Sequence, residues 1–238
     1  MAGAKKTHPL DKVNDRIVAC RKCPRLVEHR EHIGRVKRRA YRDHDYWARA
    51  IPGFGDPHAR LLIVGLAPAA HGANRTGRIF TGDRSGDWLY RALHRAGFAN
   101  QEESVSRDDG LRLNGAYITA AARCAPPGNK PTREELALCR PYLLDEMIIF
   151  REQAARAARP LVLLALGQIG YAACLESLQA VGVEIPRPRP KFGHCAVHEI
   201  ERGITVVCSY HPSQQNTQTG RLTRVMFQSV FTKAKKLL

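Results

Sequence analysis

Features that define several other classes of protein are missing from this sequence. No run of about 18 consecutive apolar residues occurs, so no membrane-spanning helix is predicted. The N-terminal stretch, MAGAKKTHPLDK, lacks the apolar core of a secretory signal, which predicts a cytoplasmic protein. No internal repeat is visible. We therefore expect a monomer with one domain, residues 1–238, whose basic N-terminal part covers residues 1–50.

Acidic residues are also scarce. Asp and Glu total 22 against 38 Lys and Arg, which gives a net charge of +16. This excess fits a nucleic-acid partner, because phosphates attract cations whatever the base sequence. A polyanionic membrane surface, or charge that only aids solubility, is the alternative. In residues 25–49, basic side chains such as Arg30 alternate with aromatic ones, which indicates a DNA-facing arm or a solvated helical face.

The seven cysteines are an odd number in a chain without an export signal, which argues against a disulfide framework. Cys20 and Cys23 form a CxxC pair, whereas Cys124 and Cys139 lie 15 positions apart. Four thiolates can hold zinc or a [4Fe–4S] cluster, and the spacing leaves both open, as well as no metal at all. The other three cysteines are expected to be buried as small hydrophobic side chains.

Short apolar segments alternate with helical patterns along the chain. This order predicts an α/β protein, a three-layer αβα sandwich around a mostly parallel central sheet. Helices are predicted from Ser85 and, through the Thr132–Glu135 capping box, from residue 133. The predicted strands are 60–64, 116–119, 161–166 and 204–209, and the last of these pairs with 196–200.

Three irregular stretches follow predicted strands. They are GLAPAAHGANRTGRIFTGD (65–83), RCAPPGNKPT (123–132) and HPSQQNTQTGRLT (211–223). The first is longer than an ordinary surface connector, which is the alternative interpretation. Loops at the carboxyl ends of sheet strands are where α/β proteins place ligand sites. We therefore expect the functional site in these stretches.

Together with the CxxC pair, these stretches resemble the family-5 (B-type) uracil-DNA glycosylases, from about Cys20 to the final helix. The resemblance implies an αβα sandwich around a four-stranded parallel sheet. It also implies a [4Fe–4S] cluster on Cys20, Cys23, Cys124 and Cys139, which would tie the N-terminal segment to the loop before the long helix. The expected partner is DNA that contains uracil or other deaminated bases.

Base excision requires a nucleotide to leave the base stack, and the resemblance implies residues for each task. Phe80 would stack on the base, Asp83 would stabilise the sugar cation or position water, and His211 would donate to a base oxygen. The alternatives are a core Phe80, an Asp83 that caps the Ser85 helix, and a structural His211. The further implied residues are Asn129 and Asn216 in the catalytic site, and Gly65, Leu66 and Ala67, whose backbone N–H groups would face the base or phosphate.

The segment 212–222 is similar to the loop that enters the minor groove in this family and fills the hole left by the base. Its expected DNA contacts are Ser213, Gln214, Gln215, Arg221 and Leu222. The first and last stretches contain no lysine, so a Schiff-base lyase step is not predicted and the enzyme would be a monofunctional hydrolase.

Two departures from the family pattern point to a broad substrate range. Leu66 and Ala69-Ala70 replace the polar residue that activates water in several glycosylase families, and Ala120 replaces a base-reading Asn. Loss of a hydrogen-bonding amide relaxes discrimination, so we expect excision of hypoxanthine, xanthine and modified pyrimidines besides uracil. The rival hypotheses are a non-catalytic, metal-bearing nucleic-acid-binding protein and an electron-transfer protein.

Overall fold

Four strongly apolar segments form the parallel strands at the centre of the fold. The computed structural model describes residues 7–238, so the first six residues of the predicted basic segment lie outside it. The parallel strands are β2 (Leu61–Gly65), β3 (Ala116–Ala120), β4 (Leu161–Leu166) and β6 (Ile204–Ser209). Nearly all their side chains are buried, as expected for parallel strands covered on both faces.

Two further strands extend this sheet at its edges. β1 (Phe54–Gly55) pairs antiparallel with β3, and β5 (Val197–Glu201) pairs antiparallel with β6. The sheet therefore has six strands in the order β1-β3-β2-β4-β6-β5, where the resemblance implies a four-stranded parallel sheet. The expected count applies to the parallel centre, and the additions are a two-residue strand and one arm of the predicted hairpin. The three-layer αβα prediction is confirmed.

Eight helices of the described residues surround the sheet. They are α1 (Pro9–Val18), α2 (Pro24–Val36), α3 (Ala73–Thr76), α4 (Arg84–Ala96), α5 (Arg133–Arg156), α6 (Gly167–Ala180), α7 (Gln214–Gln218) and α8 (Arg224–Lys236). The predicted capping box opens α5, where the Thr132 hydroxyl accepts from Glu135 N and the Glu135 carboxylate accepts from Thr132 N. No helix of residues 7–238 is both long enough and apolar enough to cross a membrane.

The two faces of the sheet carry separate hydrophobic cores because strand side chains alternate in direction. Leu61 and Ile63 point towards the core under α4 and α8, whereas Leu62 and Val64 point towards the core under α5 and α6. A third, smaller core joins the N-terminal helices to the loop after β3 and to α5. The N-terminal segment is therefore packed against the main body through that smaller core.

The parallel register brings the carboxyl ends of the four central strands to one edge of the sheet. Gly65 pairs with Ala120, and Leu166 pairs with Ser209. The segments 65–83 and 211–223 leave this edge from β2 and β6, which lie on either side of β4. The fold thus joins the two motifs that are most distant in sequence.

Candidate active site

The end of β2 forms the floor of the site. Gly65 lies beside Ala120, and the Phe80 ring covers it so closely that a methyl group on Gly65 would lie 2.9 Å from the ring atom Cε2. A larger residue at position 65 would displace the ring. The next residues, Leu66 and Ala67, are partly exposed at the carboxyl end of the strand. Gly65, Ala120 and Phe80 are therefore brought together as expected.

Phe80 is held in an unusual backbone conformation. Its φ is +53°, in the left-handed region that non-glycine residues seldom adopt, and it is 7% exposed. Its ring stacks on His211, with centroids 5.9 Å apart and planes at 30°. Phe80 belongs to the core under α4, as the structural alternative predicts, and its contact with His211 also places it at the meeting point of the two motifs.

Asp83 caps helix α4. Its Oδ1 accepts a hydrogen bond from Gly86 N at 3.0 Å, so the cap is Asp83 itself and the helix begins at Arg84, not at the predicted Ser85. The second oxygen, Oδ2, lies against Gly72, where an added methyl group would come within 2.1 Å. Burial raises the pKa of Asp83, and the N–H groups of Ser85 and Gly86 oppose that rise.

His211 follows β6 and is surrounded by protein on most sides. Burial lowers its pKa to about 4, so the imidazole is neutral at physiological pH. Its Cβ lies 3.3 Å from the position that a methyl group on Gly167 would take, and its carbonyl accepts from Asn216 Nδ2 at 2.9 Å. A neutral imidazole can donate one hydrogen bond to an anion without itself carrying charge.

The remaining polar residues of the segment 211–223 lie mostly at the surface. Gln214, Gln215 and Arg221 are exposed, and the Arg221 guanidinium lies 4.8 Å above the Tyr210 ring. Ser213 caps α7 by accepting from Asn216 N at 3.4 Å. These positions suit contact with a nucleic acid.

Two predicted residues lie elsewhere than expected. Leu222 is 0% exposed in the core, so it anchors the segment and is not an exposed DNA contact in this structure; its N–H donates to Asn216 O at 2.9 Å. Asn129 ends a 3₁₀ turn after β3 with φ +58°, and its side chain is exposed. An apolar residue within a polar loop is often its buried anchor, which is the signal that could have identified Leu222.

An arginine network that the sequence analysis did not identify holds the first motif. Arg78 is 4% exposed and makes a two-pronged ion pair with Asp109, at 2.8 and 2.6 Å. It also donates to the hydroxyls of Thr81, at 2.9 Å, and Ser104, at 3.0 Å. The loop 99–114 is thus fastened to the segment that carries Phe80. No local pattern reports such a contact, since Arg78 and Asp109 are 31 residues apart.

The four cysteines of the implied ligand set lie in the third core. Cys23, Cys124 and Cys139 are buried there and Cys20 packs against them. Among residues 7–238, no three Cys, His, Asp or Glu side chains are arranged as ligands of a single metal ion. Of the other cysteines, Cys174 and Cys208 are buried as predicted, and Cys195 is partly exposed.

One N–H group from each of two buried arginines donates to these thiols. Arg30 is 1% exposed and its Nη1 donates to Cys124 Sγ at 3.0 Å, so at this position both interpretations of the basic arm, DNA-facing or solvated, are wrong. The Arg123 backbone N–H donates to Cys139 Sγ at 3.2 Å. Arg30 Nε, Arg123 Nε and Arg123 Nη1 are buried without a partner in the described part of the chain. The Arg123 guanidinium forms a buried ion pair with Glu146, whereas Arg30 has no carboxylate partner within the described residues. A buried cation of this kind beside four thiols fits an anionic group bound by those sulfurs.

Comparisons with known proteins all point to one family. The model of the uracil DNA glycosylase superfamily matches residues 52–235. The chain is 51% identical over 225 residues to a type-5 uracil-DNA glycosylase of Mycobacterium bovis, which covers 94% of this chain and 80% of that protein. It is 50% identical over 222 residues to one of Thermus thermophilus, covering 93% and 94%. A type-4 uracil-DNA glycosylase of Pyrobaculum aerophilum is 30% identical over 207 residues, covering 86% and 83%.

These matches extend over the same parts of the chain that build the site. The superfamily model begins before β1 and ends within α8, so it includes Phe80, Asp83 and His211. The type-5 relatives also cover most of the N-terminal segment, because they match more than nine-tenths of the chain. The chain therefore belongs to the uracil DNA glycosylase superfamily, within its type-5 group, and is a DNA glycosylase.

Proposed function

We propose that the protein flips uracil out of DNA and hydrolyses its glycosidic bond in base-excision repair, and that hypoxanthine, xanthine and modified pyrimidines are further substrates. The observation that carries the proposal is the stack of Phe80 on His211, which joins the segment that contains Asp83 to a distant part of the chain. An aromatic face, a neutral imidazole and a carboxylate are the groups that base excision requires.

In the proposed mechanism the charges separate before water attacks. As the glycosidic bond lengthens, positive charge develops on the sugar and the Asp83 carboxylate stabilises it. Negative charge develops on the base, and His211 donates a hydrogen bond to the base oxygen. His211 suits this role because burial lowers its pKa to about 4, which keeps the ring neutral. Water then adds to the sugar at the carbon that has lost the base.

The proposed breadth of substrate follows from the small residue at the end of β3. Ala120 is 1% exposed and pairs with Gly65, so the strand end beside the floor of the site carries a methyl group and no polar side-chain atom. A pocket without an amide discriminates between bases less strongly than a pocket whose amide forms hydrogen bonds with the edge of one base. Excision would then depend on how readily a base leaves the stack.

A panel of duplexes tests this proposal. Each contains one uracil, hypoxanthine or xanthine, and alkali cleaves the abasic product after incubation with the protein. We expect scission on all three. Ala120→Asn should raise the ratio of uracil to hypoxanthine excision, whereas an unchanged ratio would reject the selectivity argument. Strand scission on none of the substrates would favour the rival hypothesis, a metal-bearing DNA-binding protein without catalysis.

We also propose that Cys20, Cys23, Cys124 and Cys139 hold a [4Fe–4S] cluster. The support is their common core together with buried Arg30, which donates to Cys124 Sγ and would face an anionic cluster. The cluster would cross-link the N-terminal segment to the loop after β3 and to α5. Iron and sulfide analysis of an anaerobic preparation tests the cofactor, and about four of each per chain is the expected result. Zinc, or no metal, would contradict it.

A further inference from the structure

Arg75 lies inside the first motif, and each of its three guanidinium nitrogens lies within hydrogen-bond distance of a neighbouring protein group. It is only 8% exposed. Its Nε donates to His71 O at 2.9 Å and its Nη2 donates to Gly82 O at 3.2 Å, while Nη1 lies 3.2 Å from His44 Nδ1. None of these three partners is a carboxylate. A buried guanidinium with only neutral partners keeps its full charge available to other groups nearby.

Arg75 contacts the backbone next to Asp83, which provides the carboxylate of the site. Gly82 directly precedes Asp83, and a methyl group on Gly82 would lie 2.3 Å from Arg75 Nη2 and 3.3 Å from its Cζ. The guanidinium therefore packs against the backbone that leads into Asp83. Through His71 it also fixes the turn before Gly72, which is the residue in contact with Asp83 Oδ2.

The N-terminal segment covers this arginine. The Tyr41 ring lies 4.0 Å from Arg75 Cζ, and Trp47 N donates to Arg75 O at 2.9 Å. Protein on that side excludes water, which makes the charge of Arg75 felt more strongly by its neighbours than an exposed charge would be.

We propose that Arg75 is a positioning residue for the reaction: it holds Asp83 in place and keeps its carboxylate ionised. This inference rests on the proposed function of Asp83. Burial has the largest effect on Asp83 and raises its pKa; the N–H groups of Ser85 and Gly86 favour the ionised form, and Asp87 opposes it. Tyr90, fully buried on α4, also faces the carboxylate. Arg75 is the side chain that supplies positive charge in this set.

The test is the pH dependence of single-turnover uracil excision. In Arg75→Gln the acidic limb of the profile should move to higher pH, because removal of a nearby positive charge makes the ionised carboxyl group less stable. Arg75→Lys should lie nearer the wild-type limb, since it keeps the charge. If the acidic limb of Arg75→Gln lies at the same pH as that of the wild type, the inference is wrong.

Thr76→Val is the matched control for loosening of the same turn. The Thr76 hydroxyl lies 3.2–3.3 Å from the carbonyls of Gly72, Arg78 and Thr81, so its loss weakens the segment without removing a charge. We expect a lower rate and an unmoved limb. If Thr76→Val shifts the limb as far as Arg75→Gln does, Arg75 has only a structural role.

Two further measurements separate the possible failures. Residual excision by Asp83→Asn should lack the acidic limb, which assigns that limb to Asp83. Arg75→Met keeps an unbranched apolar stem, removes the charge and replaces Arg75→Gln if circular dichroism shows that the glutamine variant does not fold. Wild-type protein that excises no uracil refutes the proposed function. Wild-type excision with identical limbs in both proteins refutes only the role of Arg75.

Discussion

The two segments that form the site differ in how firmly the protein holds them. In the segment Gly65–Asp83, buried Arg75 and Arg78 bind the backbone and side chains around Phe80, and Tyr90 donates to Ile79 O at 2.8 Å. In the segment 211–222, the glutamines and Arg221 are exposed. That second segment is fixed at its ends, by Asn216 on the His211 carbonyl and by buried Leu222.

The difference indicates a division of tasks. A carboxylate that acts on a short-lived sugar cation has to be in position before the reaction, which requires the surrounding network. In a segment that contacts DNA, mobile exposed side chains can adjust to the duplex. Their conformational entropy is lost only when the DNA binds. Substitutions in the first segment and at His211 should therefore affect the chemical step, whereas substitutions in the rest of the second segment should affect DNA binding.

The largest expected effect comes from Asp83→Asn. Single-turnover excision of uracil should fall by about 10²–10³-fold, because the variant removes the charge that stabilises the sugar cation. Asparagine is as good a helix cap as aspartate, so the thermal midpoint and the affinity for DNA should change little. The control is Glu199→Gln, an exposed acid on β5 at the far edge of the sheet. A parallel loss of DNA binding in Asp83→Asn would contradict its assigned role.

His211→Ala should lower the same rate by about 10²-fold, since a hydrogen bond to the leaving base is lost. Because the pKa of His211 is about 4, wild-type activity should show no limb from this group near pH 6.5, the ordinary value for histidine. His58→Ala, an exposed histidine, serves as the control. If protonation of His211 near pH 6.5 governs the rate, the neutral-donor mechanism is wrong.

Asp109→Asn should weaken the folded state more than it weakens DNA binding. It leaves the buried Arg78 unpaired, which costs about 3–5 kcal/mol in the free energy of unfolding. Glu102→Gln in the same loop is the control: its ion pair with Arg91 is 36–41% exposed and contributes about 1 kcal/mol or less. Urea unfolding measures both. An equal loss in the two variants would show that Arg78–Asp109 does not fasten the first segment.

The contribution of Asp109 to the free energy of unfolding should decrease as the pH falls. Burial alone raises the pKa of Asp109, but the Arg78 guanidinium and three backbone N–H groups outweigh it and lower the pKa to about 2. A lowered carboxyl pKa stabilises the fold above the unfolded value of 3.8, and this contribution is lost as the pH falls towards 2. The difference between wild type and Asp109→Asn should therefore narrow in that range.

Arg221→Gln should have the smallest effect and should act on binding alone. Loss of one phosphate contact weakens DNA affinity for every sequence and reduces the slope of log K against log salt by about 1. The control is Arg202→Gln, in the turn between β5 and β6 at the opposite end of the strands. Equal salt slopes for wild type and Arg221→Gln would place the DNA elsewhere.

Local patterns were sufficient to predict five of the six strands of the described sheet, all but β1, and the two motifs. β4 and β6 have the predicted bounds, because short runs of leucine and β-branched residues between turns strongly favour buried strands. The identity of the α4 cap differed, since Asp83 and Ser85 are both good caps and only the fold selects between them.

Contacts between distant residues could not be predicted in this way. The fastening of loop 99–114 by Arg78 and the burial of Arg30 on Cys124 depend on which segments the sheet order brings together. Arginines in a basic sequence look alike, so the buried ones cannot be told from those at the surface. Leu222 was assigned to DNA for the same reason: its place in the core is set by α8 and the sheet.

The most direct test of the account is alkaline cleavage of a duplex with one uracil after a single turnover, with wild type, Asp83→Asn and His211→Ala compared side by side. The account predicts rapid scission at the uracil with wild type, and slowing by about two orders of magnitude or more in each variant, with DNA binding retained. Wild-type protein that binds the duplex but leaves the uracil in place, or variants that cleave at the wild-type rate, would contradict it.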